Sequence, residues 1–401
     1  MYRFIGSIAA LKYAVSALPF LILPFISRVL TTEEFSLYLL ANVFMTIAQP
    51  FISFNIQTGQ RLHSLQNPGS ELANCFSAIS FMLFTSVMVL VIVWLLPSNR
   101  IVGDFVDIKY LIVFAAVSFS IFASIDSYYV SLLKTKPIIF FSLGSAALVW
   151  LMVVVFTHKY ESGTARILSQ GLIYTLIILM WLGFKHAKSN QVETLVILAN
   201  IKEMLSISLP LMPMVVAELA ILHVDKLAVV TFLSPADQNI YLSFFQLAIM
   251  GLFFTKAINS GFEAMIFKNS DRLSLASLPR KIIYLVCLIS LGLFSFQKYG
   301  ASFFLNISIN VFDPILSILI VGFFLKALIV VFMPMYIANG SQVIVLRGYI
   351  INLIFYLPLL YFGGTYLGGV GIALAMLMSQ LFMVLYLSSS ARGLLKLHEN
   401  Q

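Results

Sequence analysis

The sequence predicts an all-α polytopic membrane protein of about twelve transmembrane helices arranged as two six-helix halves, and three observations lead there. Of 401 residues, 61% are hydrophobic and only 10% charged, whereas a soluble domain is about 45–50% apolar and about 25% charged. The apolar residues gather into runs of roughly 18–25, which at about 1.5 Å of helix rise per residue cross a hydrocarbon core of about 30 Å. Alternating segments of about ten residues, the mark of a membrane β-barrel, are not evident. Third, the polar turn between the first two runs is echoed 203 residues later.

Taken in order, the spans begin with 5–27, which holds Lys12 and leads into the next run without a small-residue cleavage site. It is therefore expected to be retained and not removed as a signal peptide. Span two is 35–58; spans three, 72–97, and four, 109–132, carry Cys75 and Asp126. Spans five and six are 137–157 and 167–184. The longest polar stretch without a span follows, "KHAKSNQVETLVILANIKEM" from Lys185 to Met204, and divides the spans six and six. It reads as a linker between an N-terminal bundle, 1–190, and a C-terminal bundle, 191–401, with part expected as an amphipathic helix on the inner surface. Span seven, 205–225, ends at Asp225, and span eight, 238–260, holds Lys256. Span nine, 281–297, contains Cys287; ten, 314–338, has Lys326 near its middle; eleven and twelve are 346–363 and 368–390. Both cysteines fall inside spans and read as small packing residues.

Basic residues set the orientation. With the N-terminus inside, cytoplasmic segments hold fourteen of the 24 Lys and Arg, the opposite loops hold seven, Arg166 and Lys226 among them, and Lys12, Lys256 and Lys326 lie within spans. That bias predicts both termini on the cytoplasmic side. The net charge of +8 is mostly this inside excess, facing anionic lipid, and is no argument for nucleic acid.

The echoed turns are "VLTTEEFSLYL" at 29–39 and "FLSPADQNIYL" at 232–242. Leu30/Leu233, Tyr38/Tyr241 and Leu39/Leu242 are identical, while Thr31/Ser234, Glu34/Asp237 and Leu37/Ile240 keep their character. Their place between the first two spans of each half is what a duplicated six-helix unit requires. The segments "PFISRVLTTEEFSLYLLANVF" and "HVDKLAVVTFLSPADQNIYLSFFQLA" resemble the paired signatures of polysaccharide exporters, specifically Wzx-type O-antigen flippases of the multidrug/oligosaccharidyl-lipid/polysaccharide superfamily. Asp225, Lys226, Ser234, Pro235 and Tyr241 match an Asp-Lys near the end of the seventh helix, a polar turn and a Tyr opening the eighth.

The resemblance implies two six-helix bundles facing a central cavity that opens alternately to each side. Its members carry an undecaprenyl-diphosphate-linked oligosaccharide across the bacterial inner membrane. The partners it implies are that lipid-linked oligosaccharide, membrane lipids and other polysaccharide-assembly proteins, with no cofactor and no nucleic acid. The alternative is an ion-coupled small-molecule exporter of the related multidrug type. An O-antigen polymerase or ligase is a third reading, and the odd-numbered loops of about 6–16 residues are short for one. No phosphate loop, H-E-x-x-H or Cys/His ligand spacing occurs, and the five histidines are scattered, so no enzymatic activity is expected.

Charges inside spans are the sharper signal, since an ionisable group near the bilayer centre costs at least about 2.5–3.5 kcal/mol and faces a cavity or a partner. Glu218 and Lys326 lie nearest mid-span. Either they form a structural ion pair, or Lys326 meets the substrate's diphosphate while Glu218 takes up a coupling proton. Lys12 and Lys256 could snorkel from their cytoplasmic ends or form a basic vestibule that binds the anionic substrate. Asp126, in "FASIDSYYVS", has a local hydrogen bond to Ser or Tyr or a cavity role as its alternatives. Asp225 and Lys226 are adjacent, so on a helix they point about 100° apart. That predicts an interfacial Lys226 and an inward Asp225, anchoring the helix end or gating. Pro19 and Pro24 in span one, Pro210 and Pro213 in span seven and Pro334 in span ten predict kinks, either in moving elements or as static packing. The aromatics at 127–129 and 356–362 could stack on sugar rings or anchor the interface.

Overall fold

A computed structural model of the chain describes residues 2–95, 109–132, 135–186, 194–253, 255–256, 277–305, 307–309, 312–338 and 341–399. Among these there is helix and turn and no strand. Helix α1 (Tyr2–Val29) continues unbroken through Pro19 and Pro24. Thr31 then caps α2 (Thr32–Ser53), its hydroxyl accepting from the Glu34 backbone N–H at 3.4 Å and satisfying one of the donors a helix start leaves open. The second span is broken where none was expected: Phe54 and Asn55 adopt left-handed φ of 46° and 56°, and the chain resumes as α3 (Ile56–Gln66). The sequence of α3 is polar, and its partners lie on α5 (Lys109–Ser131). Gln57 donates to the Ser120 carbonyl at 3.3 Å and Gln60 to that of Ser124 at 3.0 Å.

Helices α4 (Glu71–Leu95), α6 (Thr135–Tyr160) and α7 (Thr164–His186) complete the first six spans with α1, α2 and α5. Next come α8 (Thr194–Ser208), a 3₁₀ turn at Leu209–Leu211 and α9 (Met212–Phe232). Pro210 sits in that turn, so the proline pair in span seven marks a real break while the pair in span one does not. Pro334 has its side chain outside the described residues. The second-half helices are α10 (Pro235–Ala248), α11 (Ser277–Ser295), α12 (Gln297–Leu305), α13 (Pro314–Ala338) and α14 (Gln342–Glu399). The remainder of span eight beyond Lys256 lies outside the described residues.

Two compact units emerge, residues 29–216 and residues 1–28 with 217–401. In the first, α8 packs on α3 and α4, with Met204 buried and Val196 and Leu198 exposed. Gly59 permits this, since a Cβ there would overlap the Met204 carbonyl. Met204 is fully buried, and joins a core with Ile56, Cys75, Met82 and Ile125. In the second unit, α14 is two arms merged across Gly368, whose φ of 57° and ψ of −137° are not helical. The arms are antiparallel. Gly363 lies against Gly371, the Phe355 ring is 6.0 Å from that of Phe382, and Asn352 donates to Ser379 at 2.9 Å. Gly348 touches the Tyr386 ring, so contacts step outward symmetrically from the kink. The arms therefore supply spans eleven and twelve.

Outward faces are apolar, as helices in hydrocarbon require: Phe84, Trp94, Phe140, Phe184, Phe355 and Tyr366 are all exposed. Among the described residues eight helices, or nine counting the bent pair α11 and α12, are long and apolar enough to cross a membrane. The difference from twelve lies in how the described residues are counted. Helix α14 counts once for its two arms, α10 has fourteen residues, and the apolar part of α1, Ala17–Val29, is shorter than a span. The chain is a multi-pass helical membrane protein.

The Gly363 and Gly371 contact is backbone against backbone, so Gly371→Ala must push the arms apart. Overpacking of that kind costs about 1–3 kcal/mol, and a lowered melting temperature of the detergent-solubilised protein is expected. Gly183→Ala, with nothing within 4 Å of its added methyl, is expected to leave melting unchanged.

Candidate functional site

In the second unit, two ion pairs are built on one face of α9. Glu218, Leu222 and Asp225 are spaced i, i+4 and i+7, which on a helix stacks them on a single stripe. Lys326 of α13 meets the first of them, its Nζ 3.0 Å from Glu218 Oε1. The Lys326 side chain is 1% exposed and that of Glu218 20%, so Glu218 is the less enclosed of the two. The Tyr349 hydroxyl lies 3.5 Å from the ammonium, with the ring centroid at 5.3 Å. Structural ion pairing of these two residues is thus present. Lys256 is exposed and near enough to act electrostatically on both members. The Lys12 side chain lies outside the described residues.

Two turns beyond Glu218 on α9, Asp225 and Lys226 form a second pair, and here the expectation from helical geometry fails. Lys226 Nζ reaches back to Asp225 Oδ1 at 2.8 Å, and the two side chains are 1–2% exposed. Although the Cα positions diverge by about 100°, a four-carbon stem is long enough to fold across that angle. The helix also continues to Phe232, so the pair is interior and not a helix end at an interface. All three ammonium donors are used: Asp225, the Leu222 carbonyl at 2.7 Å, and the Phe245 ring at 3.4 Å. Asp225 Oδ2 accepts from the Tyr241 hydroxyl at 3.3 Å. Around this pair, both ring nitrogens of His223 and the hydroxyl of Tyr356 are buried and have no hydrogen-bond partner among the described residues.

Tyr241 is the repeat mate of Tyr38, and Tyr38 also completes a buried cation. In the first unit, Arg166 of α7 is 6% exposed. Its guanidinium stacks 4.4 Å from the Tyr38 ring and 5.3 Å from that of Trp150, and donates to the Tyr38 carbonyl at 3.4 Å. Sequence reasoning placed Arg166 in a loop and missed this. The available signal was the repeated Tyr itself, a polar-tipped ring at the same place in both halves. Ser234 caps α10 as Thr31 caps α2, accepting from the Asp237 N–H at 3.3 Å. The paired acids then diverge. Glu34, one methylene longer, crosses to the turn before α7 and accepts from Ser162 at 3.0 Å and from the Gly163 N–H at 2.5 Å. Asp237 stays in its own cap, accepting from Ser234 at 2.7 Å.

Asp126 accepts from Ser142 Oγ of α6 at 2.5 Å, a bond across to the next helix. Among the described residues, no group of three or more His, Cys, Asp or Glu side chains could hold a metal.

No sequence-family model and no curated protein matches the chain. Its fold has clear counterparts among solved structures. An outward-facing multidrug-resistance MATE transporter of the MOP superfamily aligns over 97% of this chain and 95% of its own, with a TM-score of 0.71 and 14% identity. An inward-facing member of the same group aligns over 97% and 99%, with a TM-score of 0.67 and 15% identity. The bent form of the Vibrio cholerae MATE transporter VcmN aligns over 98% and 96%, with a TM-score of 0.66 and 14% identity. The fold is that of the MATE transporters.

Removing one partner of a buried ion pair is costly, about 3–5 kcal/mol, whereas removing both is much less so. Lys326→Gln alone is expected to lower the melting temperature and protein level, and Lys326→Gln with Glu218→Gln to restore both. Recovery in the double variant would show that the single change acts through the unpaired Glu218 carboxylate. Arg166→Lys keeps the charge but loses the planar stack on two rings, and a lower melting temperature is expected for it too.

Proposed function

We propose that the protein is an exporter that carries an organic solute across the membrane by alternating access, coupled to an ion gradient. The observation that carries this reading is Glu218: a carboxylate inside a membrane-crossing helix, balanced by a buried lysine and yet 20% exposed. Such a group is placed to exchange its charge partner, which is what coupling to a proton or other cation needs. The MATE-type fold supports the same mechanism. The state of the lysines favours a small solute: Lys226 and Lys326 are each engaged by a carboxylate within 3.0 Å and do not stand ready for a diphosphate.

A lipid-linked oligosaccharide is the second reading, resting on the Asp225, Lys226, Ser234, Pro235 and Tyr241 signature and on Lys256, which adds positive charge beside the Glu218–Lys326 pair. In that case Lys256 and Lys12 hold the diphosphate, and Asp126 and Asp225 join Glu218 in gating. We place the protein in a bacterial inner membrane with both termini cytoplasmic. Burial of Arg166 and Lys226 supports that orientation, because setting them aside leaves five loop cations against fourteen.

Energised inverted membrane vesicles decide between the solutes. Ethidium accumulation with matching proton or sodium release, lost in Glu218→Gln, is expected. If ethidium is untouched and deletion instead strands a lipid-linked repeat unit on the cytoplasmic leaflet, the oligosaccharide reading replaces it.

A further inference from the structure

Helices α11 and α12 meet at a bend of 76° at Phe296. Gln297, 1% exposed, holds the bend. Its Nε2 donates to Ser317 Oγ at 2.9 Å, and its Oε1 accepts from the Asp313 N–H at 3.3 Å and the Ser317 hydroxyl at 3.1 Å. The bend is therefore locked by polar bonds to the start of α13, and its shape does not depend on what fills the angle. Inside the angle is a cleft of about 470 Å³ walled by Leu247, Met250, Leu293, Phe296, Tyr299 and Phe303. Glycines keep it open: Gly292 has nothing within 4 Å of where a Cβ would stand, and Gly300 lets Leu247 approach to 3.3 Å of that position.

The occupant is constrained by three facts. The wall is apolar, and Phe296, Tyr299 and Phe303 are each 63–70% exposed. The volume, at about 30 Å³ for a group the size of a water, equals that of about fifteen such groups, the scale of one fatty-acyl tail. Lys298, next in sequence to Tyr299 of the wall, is exposed and forms no ion pair among the described residues. The nearest acid in the bend, Asp313, is committed to capping α13 through the N–H groups of Ile315 and Leu316 at 2.9 and 3.2 Å. An apolar slot with a free cation beside it complements an anionic amphiphile. We propose that this cleft binds a glycerophospholipid of anionic headgroup, one acyl chain lying in the slot and the phosphate against Lys298, whatever solute the protein exports.

Photocrosslinking tests this with the full-length protein in vesicles of equal phosphatidylcholine and phosphatidylglycerol, using phosphatidylglycerol that carries a diazirine on one acyl chain. Label is expected to concentrate on peptides of residues 247–253 and 292–305, above that on the exposed face of α14. Gly292→Phe, which fills open space, is expected to remove most of it. Lys298→Gln is expected to lower labelling by phosphatidylglycerol about fivefold, the order one lysine contributes beside an anionic surface, while a phosphatidylcholine probe labels as before. Label spread evenly over the apolar faces in the unaltered protein would overturn the site, with no variant needed. Equal labelling by both headgroups would overturn the Lys298 contact. Displacement by substoichiometric undecaprenyl phosphate would replace the phospholipid with an isoprenoid, and a crosslink between two copies through α12 would replace it with a self-contact.

Discussion

A lysine surrounded by hydrocarbon must find both its counter-charge and its hydrogen-bond acceptors inside the protein, and that requirement organises the unit built on α9 to α14. Lys226 uses every donor it has on α9 itself and on one ring of α10. Lys326 ties α13 to α9 through Glu218 and lies against Tyr349 of α14. Four helices are thereby fixed by two ammonium groups. The hydrophobic effect contributes little to holding them, because lipid tails are as apolar as the side chains they would leave, and close packing and polar bonds hold them instead.

The first unit meets the same requirement with different parts. Arg166 takes the place of a lysine, and its flat guanidinium is held by aromatic faces in place of a carboxylate. The duplicated turn explains why one Tyr serves both. Thr31 and Ser234 start their helices with the same cap, so Tyr38 and Tyr241 leave the cap at the same turn and direction. Beyond that shared geometry the halves have diverged, by a single methylene in the case of Glu34 and Asp237.

Much of this could be read before any coordinates. Span lengths and the cost of a mid-span charge pointed to Glu218 and Lys326, because the bilayer leaves such residues few options. Asp225 and Lys226 were misread because wheel angles describe where a side chain begins, and a long flexible stem ends elsewhere. Arg166 was invisible for a related reason, lying at the edge of a span where a cation is ordinarily solvated. The break at Phe54 and Asn55 carries no glycine or proline. It is imposed by the glutamines of α3 finding carbonyls on α5, which is a tertiary fact. By contrast Gly368 announces its kink in the local run "GGTYLGGVG".

That run has a bearing on how the chain enters its membrane. The arms of α14 find each other across few residues, and closing so short a loop costs little entropy. The segment between them, "FGGTYLGGVG", contains no charge, so with the proposed cytoplasmic termini the tip crosses the bilayer carrying little that water would hold back. The last two spans can thus insert together as a preformed pair. Their pairing during synthesis depends on the glycine contact within them and not on the charged helices that precede them.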